Sequence, residues 1–525
     1  MEIESFIADG YVLNDSGEIN ESGKGGKLVS RIPVVPTAIL QNMDSGVEKL
    51  EITFKKNGRW RKVVAPRSVT GSKTAIIRLA DSGLEVNTET AGMLVRYLSD
   101  CVGQNLERIP CRDSKSVMGW VDGTNTFMPY TADIAFDGED QFGYLYKAIR
   151  KRGSLDEWAK AMIPLRKNKA LRLTMAASFA SPLIEVIGEN PFVFHLWGGT
   201  GTGKSVALLV AMSIWGDPNF GKLTRTMNMT ANSMLSTAAF LKNLPFAGDE
   251  LQTIKSRWSN YDNLIMQITE GIDRGRMTYD RLNETRSWKC SFIFSGEEPC
   301  IKAASGGGAK NRVIEVECAG KVVEEGNSVA NFVKQHYGVA GPLFIENLDR
   351  KYARELYEWY FGEFLATGTT DKQAGAAALL LTADCLASEL FWKEDEQDLV
   401  VDDLAPYLSS ADEVDVTERA YAYTLDTVAE NESCFHSDAR QRWGCIDGDW
   451  CYINRTVLDR LLTEQGYDIG SVLNKWVQKG YVQRYRPNAI RWLKCIGGVV
   501  TSCIKLRLPA DRDEQTEMEV GNDDL

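Results

Sequence analysis

The stretch Gly198-Gly199-Thr200-Gly201-Thr202-Gly203-Lys204-Ser205 decides the fold. It fits the phosphate-loop pattern G-x-x-x-x-G-K-[ST]. Ahead of it runs Phe192-Val193-Phe194-His195-Leu196-Trp197, apolar and of strand length. Behind it, Val206 to Trp215 is apolar and of helix length, and Gly216-Asp217-Pro218 ends it. Strand, loop and helix are the context the pattern requires. The glycines let the backbone turn tightly, so that successive amides point at one anion. The N-terminus of the helix adds partial positive charge at the same place. The spacing predicts a nucleoside triphosphate site for ATP with Mg²⁺. Residues Gly198 to Ser205 make its contacts, with Lys204 on the β/γ-phosphates and Ser205 on the metal. The plain alternative is a Gly-rich turn with a stray lysine.

Three later segments supply what phosphoryl transfer still needs, which is positioning and charge neutralisation. Leu244-Pro245-Phe246-Ala247-Gly248-Asp249-Glu250 is an apolar segment ending in two acids. Asp249 is placed to hold the waters of Mg²⁺ opposite Ser205, and Glu250 to orient or deprotonate the attacking water. Pro245 and Gly248 speak against a strand there, which leaves a short loop with two surface acids as the other reading. Trp288 to Ser295 reads as a strand ending in a polar residue. Ser305-Gly306-Gly307-Gly308-Ala309-Lys310-Asn311-Arg312 is a flexible loop that delivers Arg312 to the start of the strand Val313-Ile314-Glu315-Val316. An arginine there can reach a neighbouring subunit's γ-phosphate, or stay a surface arginine at a strand edge.

The chain has 525 residues, 44% hydrophobic and 25% charged, an ordinary globular balance. That length predicts about three domains. No run is expected to reach the ~18 apolar residues of a membrane span. Met1-Glu2-Ile3-Glu4-Ser5 lacks the marks of a signal peptide, so the 11 cysteines are expected to be reduced thiols in a cytoplasm. Cys434-x-His436 with Cys445 and Cys451 allows a zinc site, at irregular spacing, or scattered core cysteines. The net charge of −12 excludes a protein that coats nucleic acid over its whole surface, but leaves room for a basic channel or module.

Residues 1–170 read as mixed α/β. Leu50 to Phe54, Asn57-Gly58 and Trp60 to Val64 form a hairpin signal. Asn87 opens a helix, and Ser154 to Glu157 is a capping box. Basic residues gather at Lys147, Arg150, Lys151 and Arg152, and at Arg166, Lys167, Lys169 and Arg172. They are a solvated face or a nucleic-acid contact. Residues 171–320 form the ATPase core and 321–440 a helical lid, with Ala374 to Leu390 nearly all apolar or small. Residues 441–509 read as helix, helix and hairpin, the parts of a winged helix. In that reading Asn454 and Tyr467-Asp468 start the helices, and Tyr481 to Tyr485 and Val499 to Leu508 are the strands. Residues 510–525 form an acidic, disordered tail.

This order of parts resembles the proteins catalogued as domain-of-unknown-function 927, of phages and mobile elements. The resemblance is carried by His195-Leu196-Trp197-Gly198, Trp215-Gly216-Asp217-Pro218, Gly248-Asp249-Glu250 and Phe294-Ser295-Gly296-Glu297-Glu298. It is carried too by His336-Tyr337-Gly338, Gly341-Pro342, Gly119-Trp120 and Gly153-Ser154 with Trp158. It implies an α/β fold with an AAA+ core similar to minichromosome-maintenance helicases, with Ser295 helping to position water. It also implies a hexameric ring that unwinds DNA at replication, beside a primase or single-strand-binding protein. The segment from Gly271 to Arg276 is less rich in glycine and lysine than the family's, though Arg274, Arg276, Arg281 and Arg286 keep it basic. The alternative function is a non-helicase switch: a loader, transposition helper or defence ATPase.

Overall fold

A computed structural model describes residues 3–509, apart from 139, 255–260, 274–276, 279–280, 283–284, 303–304, 394–398, 438 and 497. Arg274, Arg276, the acids Glu394-Asp395-Glu396 and the acidic tail lie outside the described residues, as does the Arg281 side chain. The fold is mixed α/β, with three hydrophobic clusters.

The first cluster in chain order lies under a five-stranded sheet. Its order is Ala135–Phe136, Cys111–Lys115, Val34–Asn42, Glu48–Lys56, Arg59–Pro66. Leu50, Ile52 and Phe54 alternate onto one face and meet Leu94, Tyr97 and Leu98 of the helix Ala91–Gln104. The hairpin predicted around Asn57-Gly58 forms. Both turn residues take positive φ, 52° and 74°, which matches the twist of the flanking strands.

The largest cluster surrounds a five-stranded parallel sheet. Its order is Thr224–Thr226, Phe246–Asp249, Phe292–Gly296, Val193–Trp197, Val313–Glu317. The strand that enters the phosphate loop is fourth of the five, flanked by the strand ending near Ser295 and the strand after Arg312. Neither Pro245 nor Gly248 prevents the acid-bearing strand: Pro245 precedes it, and a side chain at Gly248 would meet Met227 Sδ at 2.3 Å. The helices Lys169–Ile187 and Lys204–Ser213 cover the sheet.

Two helices, Lys169–Ile187 and Asp371–Phe391, do reach the length and apolar composition of a membrane span, contrary to the sequence expectation. They pack on each other, mostly buried. Asp384 of the second helix takes Arg172 and, at 2.9 Å, Arg166 in the interior, and Arg166 also lies over the Trp392 ring. Buried cations are thereby paired, so these members of the predicted basic cluster do not face solvent.

The third cluster joins Ala420 and Val428 of the helix Val416–Glu430 to buried residues spread from Phe435 to Leu506. A four-stranded antiparallel sheet runs in the order Gly444–Asp447, Trp450–Asn454, Val499–Arg507, Arg491–Ile496. Beside it stand the helices Arg455–Glu464 and Ile469–Gln478. Asn454 and Asp468 cap them, accepting from Thr456 N at 3.0 Å and Ser471 N at 2.7 Å. Tyr481 to Tyr485 is not a strand. Val482 makes one bridge to Leu506, and the hairpin partner of Val499–Arg507 is Arg491–Ile496.

Candidate phosphate-binding site

A parallel sheet brings the C-terminal ends of its strands to one edge, where crevices form. Trp197, Asp249 and Gly296 end three adjacent strands at that edge. There the loop Gly198–Gly203 leads into the helix beginning at Lys204. Gly198 has φ 145°, and a Cβ on it would approach Cys318 O to 2.8 Å. Gly203 has φ 93°, with Val323 N 3.0 Å from where a Cβ would sit. Only glycine permits this backbone so close to its neighbours.

The cavity over the loop measures about 420 Å³. Thr200, Lys204, Ser205, Asp249, Glu250 and Ser295 are among its lining residues. Lys204 Nζ donates to Gly198 O at 2.9 Å, Gly199 O at 2.6 Å and Thr202 Oγ1 at 3.1 Å. The ammonium is therefore held by the loop itself. Ser205 Oγ donates to Asp249 Oδ1 at 3.1 Å, and Ser295 Oγ donates to the same oxygen. A hydroxyl and a carboxylate oxygen at this separation are the hard oxygen donors that Mg²⁺ takes, so the residues fit the metal. The loop amides, helix N-terminus and Lys204 fit phosphate.

Glu250 is exposed and has φ 63°, a left-handed conformation that a non-glycine residue seldom adopts. Its carboxylate accepts from Gln252 Nε2, and Gln252 Oε1 accepts from Glu297 N at 3.3 Å. Glu297 in turn accepts from Thr200 Oγ1 at 2.8 Å. Gln252 carries no motif in the sequence, and Glu297 lies in the Phe294-Ser295-Gly296-Glu297-Glu298 stretch without a role assigned from sequence. Burial pushes the Cys318 thiol beneath the loop up to about 11, against the pull of Lys204.

Arg312 stands apart. Its carbonyl accepts from Val193 N at 3.0 Å, which fixes it at the N-terminal edge of the sheet. The strand Val193–Trp197 separates it from the loop, roughly 13 Å at 3.3 Å per residue. Its guanidinium donates to Gly308 O at 2.6 Å and Met266 Sδ at 3.0 Å.

Among the described residues, the set of His, Cys and acidic groups gathered as metal ligands would be is His195, Cys300 and Glu315, not Cys434 with His436, Cys445 and Cys451. Glu315 Oε1 accepts from His195 Nδ1 at 2.9 Å and Cys300 N at 2.7 Å. The carboxylate thus ties the loop after Ser295 to the strand Val193–Trp197. Burial and the nearby Glu315 raise the Cys300 thiol well above its usual range.

A second cavity of about 680 Å³ adjoins the first, the two sharing Lys321, Val323 and Glu324. Its walls include Leu165, Val322, Val329 and Phe332, and Asn168 Nδ2 donates to Lys321 O at 3.2 Å.

Residues 11–287 match the family described as Domain of unknown function (DUF927). Residues 415–510 match the Cch helix turn helix domain. The chain is similar in fold to the solved structure titled "SCCmec type IV Cch - active helicase", with a TM-score of 0.72 and 18% identity over 95% of this chain and 97% of that one. The structure titled "The A form apo structure of NrS-1 C terminal region-CTR" aligns over 90% of this chain and 96% of its own at 11% identity, with a TM-score of only 0.29. No curated protein sequence matches. The first match takes in more than half of the chain, from the N-terminal sheet through the phosphate loop and the acid pair, and the chain belongs to the DUF927 family.

Proposed function

We propose that this protein is an ATP-dependent DNA helicase or translocase of a phage or mobile element, acting as a ring with ATP at the boundary between subunits. The single observation that carries the reading is the convergence of Lys204, Ser205, Asp249, Glu250 and Ser295 on one cavity at the C-terminal edge of a parallel sheet. Its kinship with the Cch helicase fold adds weight.

In this reading Lys204 turns from the loop carbonyls to the β/γ-phosphates, and the amides of residues 198–203 hold the rest of the chain of phosphates. Ser205 and Asp249 hold Mg²⁺, which when bound screens the charge gathered on the phosphates. Glu250 accepts a proton from, or orients, the attacking water once its carboxylate leaves Gln252. Ser295 fixes Asp249 and lies where it can also orient that water. The apolar slot between Leu165 and Phe332 takes the base. Arg312 serves a neighbouring copy. Residues 171–320 are the AAA+ core, and the helices after 321 form the lid. The C-terminal module, which begins with the helix Val416–Glu430, is a winged helix that contacts DNA.

The test is ATP turnover with and without forked DNA, together with strand displacement. The reading expects DNA to stimulate turnover and the fork to open only with hydrolysable ATP. Turnover indifferent to DNA, with no displacement, would leave a nucleotide switch in its place.

A further inference from the structure

The molecule carries a net charge of −12, yet residues 55–62 read Lys55-Lys56-Asn57-Gly58-Arg59-Trp60-Arg61-Lys62, five cations and no acid. They form the tip of the hairpin at the open edge of the N-terminal sheet, where Lys55 pairs with Trp60 and Lys56 with Arg59. Pleating puts Lys55, Trp60 and Lys62 on one face and Lys56, Arg59 and Arg61 on the other. The indole of Trp60 is 48% exposed, with Lys55 Nζ 5.8 Å from the ring centre. Glu51 takes Lys62 at 2.9 Å. Among the described residues, no acid forms an ion pair with Lys55, Lys56, Arg59 or Arg61.

Cations on an edge strand have an ordinary use, since they stop two edges from pairing. That use has no need of a half-exposed indole, which works against it. An aromatic face beside mobile cations is instead what an unpaired base and its flanking phosphates require. In a chain with a net charge of −12, five cations on one hairpin tip make a local attractive site for phosphate.

We propose that the hairpin tip binds single-stranded DNA, with Trp60 stacking on a base, Lys55 and Lys62 on the phosphates beside it, and Arg59 and Arg61 on phosphates where the strand passes round the tip to the other face. The choice of DNA rests on the proposed function, whereas the choice of an unpaired strand rests on Trp60.

The experiment measures anisotropy of a labelled oligothymidylate on the full chain without nucleotide, between about 50 and 200 mM salt. The triple variant Lys55→Ala, Arg59→Ala, Arg61→Ala is expected to bind at least ~10-fold more weakly at the lower salt. Its salt slope should be shallower, by about 0.7 for each phosphate that is no longer neutralised. Trp60→Ala is expected to lose about tenfold at every salt concentration with an unchanged slope, and Trp60→Phe to recover most of it. Melting curves should match the parent, because these positions are exposed.

Parental affinity and slope in the variants would overturn the proposal. So would an equal loss on blunt duplex, or competition by polyglutamate as effective as by unlabelled oligothymidylate. Turnover of ATP without DNA separates the two readings. A chain that binds through the hairpin but does not hydrolyse ATP sinks the helicase and leaves this site. A chain that hydrolyses ATP and unwinds, with the hairpin variants unaffected, does the reverse.

Discussion

The two edges of the central sheet differ in a way that bears on how many chains the chemistry needs. At the C-terminal edge, strand ends far apart in sequence put Lys204, Ser205, Asp249 and Ser295 within hydrogen-bonding range of the loop or of each other. At the N-terminal edge, Arg312 sits in a niche of Gly308 and Met266 with a full strand between it and the cavity. Parallel strands make this separation unavoidable, because a residue that precedes a strand cannot share an edge with residues that follow one. Arg312 is therefore out of reach of the loop of its own chain, and in the proposed function it serves another copy. In the proposed function one edge acts as receptor and the other as donor, and the pair is complete only across a boundary.

Lys204→Ala should break the receptor edge outright. It removes the cation proposed to face the phosphates, so both nucleotide binding, followed by a fluorescent ATP analogue, and turnover should fall to background. Binding at the parental affinity would mean that the loop is not the phosphate site. Arg312→Ala should break the donor edge alone. Turnover is expected to drop about a thousandfold while nucleotide affinity stays within about twofold. Mixing the two variants sharpens the comparison. An intact loop from one chain then meets an intact arginine from the other, and part of the turnover should return. No recovery on mixing, in particles shown to contain both chains, would argue that Arg312 is a surface residue.

Glu250→Gln tests a position within the receptor edge that is held away from rest geometry. The left-handed backbone at φ 63° and the contact with Gln252 aim the carboxylate. The amide keeps the shape and loses the proposed base, so turnover should fall about a hundredfold with binding retained. Nucleotide should then hold assembled particles together, visible by light scattering as a nucleotide-dependent increase in mass.

The receptor edge was legible in the sequence because it is local. Eight consecutive residues carry the loop, and an apolar run before each acid or serine marks a strand end. What sequence could not give was the register between strands. That Ser205 and Ser295 share one oxygen of Asp249 depends on which strands are neighbours, and the order places the Ser295 strand between the loop strand and the acid strand. The chain of contacts from Thr200 through Glu297 and Gln252 to Glu250 was hidden for the same reason.

In the C-terminal module the caps at Asn454 and Asp468 were readable as local side-chain chemistry. The strand Arg491–Ile496 was not, since its residues alternate between exposed and half-buried and present no apolar face to the core. Tyr481 to Tyr485 reads as a strand, but the Tyr481 ring stacks on Tyr421 of the helix Val416–Glu430. This contact belongs to tertiary packing, as does the bond from Trp476 Nε1 to Thr417 O at 3.0 Å, which joins the helix Val416–Glu430 to the module.

Ser295→Ala should have the smallest effect and discriminates most finely. Ser295 Oγ donates to Asp249 Oδ1, which also receives Ser205 Oγ at 3.1 Å. Removing one hydroxyl from this set costs the carboxylate one of these two donors, a loss of about 1.5 kcal/mol for a hydrogen bond to a charged group, or roughly tenfold in rate. A residue that only orients Asp249 would loosen Mg²⁺, so raising Mg²⁺ should restore turnover in the alanine variant. A residue that also orients the attacking water would lower kcat at saturating Mg²⁺ and leave KM for ATP unchanged. Ser295→Thr keeps the hydroxyl and should retain most of the rate if its methyl fits among Asp249, Leu196 and Gly248. Full activity of the alanine variant at every Mg²⁺ concentration would reduce Ser295 to a strand-ending residue, and would leave Ser205 and Lys204 as the donors that define the receptor edge.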